Sequence, residues 1–397
     1  MPQIFPFKAF RYNRTSSEMK LLVCPPYDVI NDSLARQLRK NKQNAVHVEL
    51  PQGTDDLKYA RARKVWKKWT AGNVLRRDSQ PAFYIYEQVF TSGNRNFSRR
   101  GFFCELKVEK PGAGSVLRHE LTISGPKLDR LKLLRALRAN TSPIFGLFAD
   151  RRGNVRSILS GYSKKKETFR FVGPDKVLHR LWLCTDRRQC EVIMATMRRE
   201  PVAIAYGHHR YETAWNYAQE SVAVGARKAL FFLCPAGDKG LVVFPTHRIL
   251  KAGTLSGLLD RAEKMKSVFT LREVTGPKLQ WRTFLLTDGK KFFKVAPRTS
   301  AALKSHMPGK PDVYRNLALA QVHSLLVPEK KKEDFIYSHD LRETLALARK
   351  IKTCAILVPP VSVDELYNVV RAGELMPQKS TYFIPKVTTG IVFRSLD

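Results

Sequence analysis

The chain has 397 residues, 43% of them hydrophobic, which is enough for two or three domains with real cores. Lys and Arg total 70 against 35 Asp and Glu, a formal charge of +35 that favours polyanionic or phosphate-bearing partners. Plentiful aromatic residues and the lack of any long low-complexity tract exclude extensive disorder, and no apolar run approaches the roughly 18 residues needed to span a bilayer.

The opening residues, MPQIFPFKAFRY, carry no long apolar stretch and no small-residue cleavage site, so they read as no signal peptide and the expected location is cytoplasmic. Six cysteines (Cys24, Cys104, Cys184, Cys190, Cys234, Cys354) show neither CxxC nor Cys/His zinc spacing, and read as free thiols. In Cys24–Asn31, CPPYDVIN, two prolines pre-set an extended turn and Asp28 follows where a carboxylate can face a ligand. A helix or turn cap for Val29–Leu34 is the plainer role for Asp28 and is weighted above catalysis on the local pattern. Lys58–Arg77 holds eight Lys/Arg and no acids, with Tyr59, Ala62, Trp66 and Trp69 at helical spacing. These aromatics form the expected buried stripe of an amphipathic helix, and stacking platforms for nucleic acid are the lesser alternative.

Ala82–Phe90 and Phe97–Val108 read as the strands of a hairpin around Ser92–Asn96. His119–Arg130, HELTISGPKLDR, gathers Glu120, Thr122, Lys127, Asp129 and Arg130. Glu120 there could serve as a base or metal ligand and Lys127 could neutralise phosphate, against a surface loop with local ion pairs. A basic helix follows at Leu128–Leu137, then a short strand at Ser142–Ala149. Glu167–Val172 and Val177–Cys184 read as paired strands across Gly173–Pro174, followed by a helix around Glu191–Met197.

Val202–Trp215, VAIAYGHHRYETAW, runs from a β-rich segment through Gly207 into a helical pattern. A strand emptying through Gly into a helix start aims backbone N–H groups at one spot, and His208, His209 and Arg210 add side-chain donors there. The alternatives are a phosphate site and an ordinary tight turn with a solvated surface. Adjacent histidines point in different directions and suit an anion better than a metal. Ala229–Cys234 and Leu241–Phe244 read as strands before Pro245–Arg248, PTHR, where His247 and Arg248 extend a cationic pocket or end a strand. Beyond them, helices are expected at Val313–Leu326 and Leu341–Lys350 and strands at Ala355–Val358 and Tyr382–Ile384. Gln378–Thr381 forms a polar knot suited to an anion lid. GxSxG, GxxxxGK[ST] and GxGxxG are absent, which excludes nucleophile-elbow, P-loop and Rossmann chemistry. The fold class is α+β (mixed α/β), with an N-terminal and central region over 1–250 and a C-terminal α/β domain over 251–397.

Taken together, IFPFKAFRYN, CPPYDVI, AFYIYEQVF, HELTISGPKLDRLKLL, SPIFGLF, GHHRYETA, FPTHRIL, YSHD and GELMPQKSTYF resemble domain-of-unknown-function family 1015, in that family's order and spacing. The GHHR block in turn is similar to the phosphate-binding box of the ParB/sulfiredoxin-like superfamily, which includes partition proteins and free-serine kinases. That resemblance implies a nucleotide-binding core. Gly207 would give close backbone approach, while His208, His209 and Arg210 would contact phosphate of ADP or ATP with Mg2+. Lys127, His247 and Arg248 would join the same pocket. The family usually has Asp before the glycine, where this chain has Tyr206, and tyrosine with its pKa near 10 supplies no carboxylate at neutral pH. Glu120, then Asp28, are the candidates for the missing charge, with Glu212 a third. The leading expectation is a nucleotide-binding, kinase-like phosphotransferase on a small hydroxyl-bearing metabolite such as serine. The alternatives are a non-catalytic nucleic-acid-associated protein of ParB-like type and a scaffold that has lost its ligand.

Overall fold

The computed structural model describes residues 1–120 and 124–397, so Thr122 of the His119–Arg130 patch lies outside the described residues. The chain divides into two compact units. The first comprises Met1–Arg118, Thr122–Val242 and Pro385–Asp397, and the second His119–Leu121 and Val243–Ile384. Both are mixed α/β.

A mixed sheet builds the first unit. Among the described residues its strands run in the order Val116–Leu117, Val202–Tyr206, Ile144–Phe148, Lys228–Pro235, Arg95–Lys107, Phe83–Ser92, Leu178–Cys184 and Phe169–Val172, and Ile4–Phe5 pairs with Arg95–Lys107. The hairpin expected from sequence forms, with Ser92 opposite Arg95 across Gly93, whose φ is +57°. The two strands either side of Gly173–Pro174 also pair, Leu178 opposite Val172. The central strands read as continuous apolar runs because both faces are covered. Phe102, Phe103, Phe231 and Phe232 are fully buried. Each such side chain stabilises the unit by about 1.5–3 kcal/mol, against roughly 0.2–1 kcal/mol for an exposed ion pair. The sheet, rather than the abundant surface charge, holds this unit together.

The helix Leu57–Ala71 buries Tyr59, Ala62, Trp66 and Trp69, as the spacing predicts. Trp66 packs edge-on against Phe10 and Phe393 at 5.7 and 5.6 Å, so the two tryptophans are core and offer no face for stacking nucleic acid. Asp28 does not cap a helix. It sits in the single 3-10 turn Tyr27–Val29, and Asn31 caps the helix Asp32–Arg39 by accepting from the Leu34 amide at 2.9 Å. The side chain two residues past the turn is better placed, which leaves the Asp28 carboxylate for another partner.

The second unit is a six-stranded antiparallel sheet in the order Phe269–Val274, Phe292–Pro297, Phe284–Thr287, Ala355–Leu357, His247–Leu250 and Phe335–Ser338. Its helix Leu341–Lys350 is capped by Asp340, and Val363–Arg371 by a Ser362/Glu365 capping box. The sequence places the domain boundary near residue 250. In the structure it falls at Val242/Val243, because His247–Leu250 is an interior strand paired on both sides. The last thirteen residues, from Pro385, return to the first unit. There the buried Arg394 donates to Glu105 at 2.7 Å and to the carbonyls of Lys228 and Gly225 at 3.0 and 2.8 Å. The single helix expected over Val313–Leu326 is broken into Asp312–Arg315, Ala318–Gln321 and a π-helical turn Val322–Leu326. Gln321 Nε2 satisfies the Arg315 carbonyl that the break exposes, at 3.0 Å.

Candidate functional site

The strand Val202–Tyr206 pairs antiparallel with Ile144–Phe148, but the register slips between Ile204, opposite Gly146, and Tyr206, opposite Phe145. Ala205 is the extra residue of a bulge, a device that re-aims the next side chain. Gly207 follows with φ +100° and ψ 29°, a left-handed conformation that favours glycine. The helix His208–Glu220 then starts at once, its first bond running from the Tyr211 amide to the Gly207 carbonyl at 3.0 Å. Bulge, left-handed glycine and helix start follow one another without a spacer, so Tyr206 and the first helical turn share one spot.

Tyr206 is the centre of what gathers there. Its hydroxyl donates to Asp28 Oδ1. The Arg210 guanidinium lies 4.9 Å and the Lys386 ammonium 4.1 Å from its ring centroid. Such contacts are worth about 0.5–1 kcal/mol each when exposed and more when dry. Burial, and then the Asp28 charge, push the Tyr206 phenol well above its ordinary value, so it stays a neutral donor. Arg210 also donates through Nη1 to the Pro143 carbonyl, while its Nε is buried with no hydrogen-bond partner. The turn therefore assembles two cations, a carboxylate and a helix start.

A second layer lies behind Arg210. A cavity of about 50 Å³ is lined by Glu49, Arg130, Thr141, Ser142, Arg210 and Thr213, among others. Glu49 is fully buried and accepts from Thr141 Oγ1 at 2.6 Å, Ser142 Oγ at 2.9 Å and the Tyr27 amide at 3.3 Å. Arg130 donates to the Glu49 carbonyl at 2.6 Å and stacks 4.2 Å over the Tyr27 ring. Asp129 braces Arg130 through its Nη2 at 2.5 Å. Tyr27 and Asp28 are thus held from one side by Arg130 and Glu49 and from the other by Tyr206. Beside this loop a largely apolar cavity of about 270 Å³ is lined by Val23, Pro25, Leu34, Leu38, Pro174 and Lys386. Lys386 borders both features.

The family model for DUF1015, described as a protein of unknown function, matches residues 4–323. The chain belongs to this family. Tyr337–Asp340 and Gly373–Phe383 lie beyond the matched range. Among solved structures the DUF1015 chain is similar to a conserved hypothetical protein from Pyrococcus furiosus, with 14% identity over 69% of this chain and 89% of that one and a TM-score of 0.35. It is also similar to a free serine kinase in complex with AMP, with 15% identity, coverage of 68% and 84% and a TM-score of 0.34. SbnI with C-terminal truncation from Staphylococcus aureus matches with 11% identity, coverage of 70% and 83% and a TM-score of 0.38. No curated protein matches the chain significantly.

The residues singled out from sequence in this DUF1015 protein fall into two groups. Asp28, Gly207, His208, His209, Arg210 and Lys127 belong to the first unit. Lys127 pairs with Glu212 at 3.0 Å, and Arg118 pairs with the same carboxylate at 3.2 Å. Glu212 is therefore committed to two cations rather than standing in for the missing aspartate. Glu120, His247 and Arg248 belong to the second unit. His247 is buried and accepts the Val358 amide at 3.3 Å through Nδ1, with its pKa lowered to about 4 by burial and by Arg248. PTHR does not end a strand. It opens the interior strand His247–Leu250.

Three participants escape sequence reasoning. Glu49 lies in AVHVEL, and its only signal is a lone carboxylate inside an apolar run. Lys386 reaches the site because the terminal segment returns to the first unit. Tyr206 reads as a lost aspartate and stands as the platform for both cations. Among the described residues no group of three or more His, Cys, Asp or Glu could hold a metal ion, and no helix is long and apolar enough to cross a membrane.

Proposed function

We propose that the first unit binds the phosphates of ADP or ATP at the Gly207–Arg210 turn, as a kinase-like phosphotransferase acting on a small hydroxyl-bearing metabolite. The observation that carries this reading is the convergence of Asp28, Arg210 and Lys386 on Tyr206 at a left-handed glycine opening a helix. Helix starts and guanidinium groups both attract phosphate. Phosphoryl transfer asks mainly for positioning and charge neutralisation, which Arg210 and Lys386 supply. A nucleotide-bound Mg2+ takes most ligands from phosphate and water and needs one or two carboxylates, so Asp28 fits that role in place of the aspartate replaced by Tyr206. His208 and His209 complete the donor set. The apolar cavity beside Pro25 offers space for the acceptor.

Thermal denaturation with AMP, ADP and ATP, with and without Mg2+, tests the reading. A ligand present at a hundred times its Kd stabilises by about 2.7 kcal/mol. Wild type should shift upward with ADP or ATP, and Arg210→Ala should lose the shift. No shift with any nucleotide at millimolar concentration sinks the proposal.

A further inference from the structure

The second unit carries a cationic pocket of its own. A cavity of about 340 Å³ opens between the π-helical turn Val322–Leu326, the segment Lys330–Tyr337 and the segment Leu375–Gln378. Its walls include Tyr314, Tyr337, Lys330, Lys332 and His323. The volume sits at the lower end of small-ligand sites. π-Helical turns are rare and recur at functional positions.

Arg248 stands behind this wall. It is fully buried, and its partners are three backbone carbonyls and one imidazole. It donates to Thr246 O, to Gln378 O at 3.0 Å, to Lys379 O at 3.1 Å and to His323 Nε2 at 3.3 Å. Among the described residues no carboxylate forms an ion pair with it. Its charge is met mainly by dipoles, with the Tyr337 ring 5.4 Å away and Glu120 favouring it at longer range. Because His323 Nε2 accepts from Arg248, the ring proton belongs on Nδ1, and His323 becomes a neutral donor. Burial and Arg248 hold the His323 pKa down to about 3, which keeps it neutral. Lys332 is also depressed, first by burial and then by Lys379, with Glu120 and Glu333 pulling the other way. Cations that depress one another are relieved by an anion. Tyr314 and Tyr337, with Met376 and Pro377, give the same cavity an apolar part.

We propose that this cavity in the second unit is a binding site for a small anion carrying a flat ring, its charge on Lys330 and Lys332 and its ring against Tyr314 and Tyr337. PTHR and Gln378–Thr381, two patches that the nucleotide reading does not use, acquire a role here. Arg248 ties them together and sets the field of the pocket, while the lysines touch the ligand. The proposal rests on residues of the second unit alone.

Isothermal titration of the full chain at low salt tests it, with phenyl phosphate and phenylacetate as anionic probes and benzyl alcohol as the uncharged control. Wild type should bind at least one anionic probe saturably and more tightly than the alcohol, and the better probe tells phosphate from carboxylate. Lys330→Ala/Lys332→Ala should weaken that probe by about tenfold or more, the loss of charge-assisted contacts worth about 1.4 kcal/mol. Both lysines are only half-buried, so the variant should keep its fold, checked by circular dichroism. Arg210→Ala should leave intact the binding of phenylacetate that Lys330→Ala/Lys332→Ala removes, so failure of the nucleotide site and failure of this one are told apart. No saturable binding of either anion, equal binding of benzyl alcohol, an unaltered double variant, or loss of phenylacetate binding in Arg210→Ala would each overturn the proposal.

Discussion

Gly207→Ala puts the geometry of the turn to a quantitative test. Gly207 has φ +100°, well past the usual left-handed value near +57°, and an L-residue there costs about 1–2 kcal/mol. A Cβ would also stand 3.1 Å from Arg210 Nη2 and 3.2 Å from its Cζ. The guanidinium is the far end of a flexible side chain and can yield. In yielding by a few tenths of an ångström it weakens its bond to the Pro143 carbonyl and its contact with the Tyr206 ring, about 1 kcal/mol for the two together. The expected total is about 2–3 kcal/mol. For a unit of this size each kcal/mol moves the melting temperature by about 2–4 °C, so calorimetry should record a drop of roughly 4–12 °C. Gly207→Asn should cost less, because Asn tolerates the left-handed region. Repeating Gly207→Ala in an Arg210→Ala background removes the clash and leaves only the backbone cost. The cycle should then show a coupling of about 1 kcal/mol. A Gly207→Ala protein that melts with wild type would refute the conformational argument, and zero coupling would refute the contact with Arg210.

Three other perturbations have expected outcomes. Tyr206→Asp places a second carboxylate beside Asp28, and two carboxylates with water make a divalent-cation site; millimolar Mg2+ should raise the melting temperature of the variant and leave wild type unmoved, and an identical response in both counts against the placement of Asp28. Glu49→Gln turns one acceptor into a donor facing Thr141 Oγ1 and Ser142 Oγ, which should cost about 2–3 kcal/mol in urea denaturation; a variant as stable as wild type would show that this buried carboxylate is not held as described. Acid should weaken the fold through His247, whose pKa is about 4 against 6.5 for an unperturbed imidazole. Between those values the unfolded chain takes up a proton that the folded chain refuses. Stability should therefore be full above pH 6.5 and fall as pH drops towards 4, by at most about 1.4 kcal/mol per pH unit. His247→Gln should flatten that slope in urea titrations at several pH values; an unchanged slope would place the acid sensitivity elsewhere.

Local pattern revealed much of the fold, and long-range closure hid the rest. Apolar runs and turn residues locate the Phe83–Ser92 hairpin and the strands around Gly173, because strand periodicity and tight turns are short-range physics. The Trp66/Trp69 stripe is legible for the same reason. The break between Arg315 and Ala318 is not, since it depends on the buried Gln321 side chain replacing a backbone bond. Nor is the return of Pro385–Asp397 to the first unit, which rests on Arg394 meeting Glu105, 289 positions away in sequence. Domain boundaries follow such closures, and no window of neighbouring residues contains them.

The Gly207 turn shows how this limit bears on chemistry. Reading Tyr206 as a lost carboxylate assumes that the charge must come from the residue before the glycine. Asp28 and Tyr206 are 178 positions apart, yet the phenol donates directly to that carboxylate. A motif position specifies a place in space, and another element can fill it when a spacer of the right length intervenes. A phenol ring is such a spacer. It follows the bulge at Ala205, keeps its proton, and carries Arg210 and Lys386 over its ring. On the proposed nucleotide reading, Tyr206 thus exchanges a charge fixed on the turn for one delivered from the Pro25–Asp28 loop, where Glu49 and Arg130 hold Tyr27. It follows that damage to Glu49, which touches neither His208 nor Arg210 by any hydrogen bond described above, should loosen nucleotide binding as well as the fold. An aspartate built into the turn itself would be indifferent to that change.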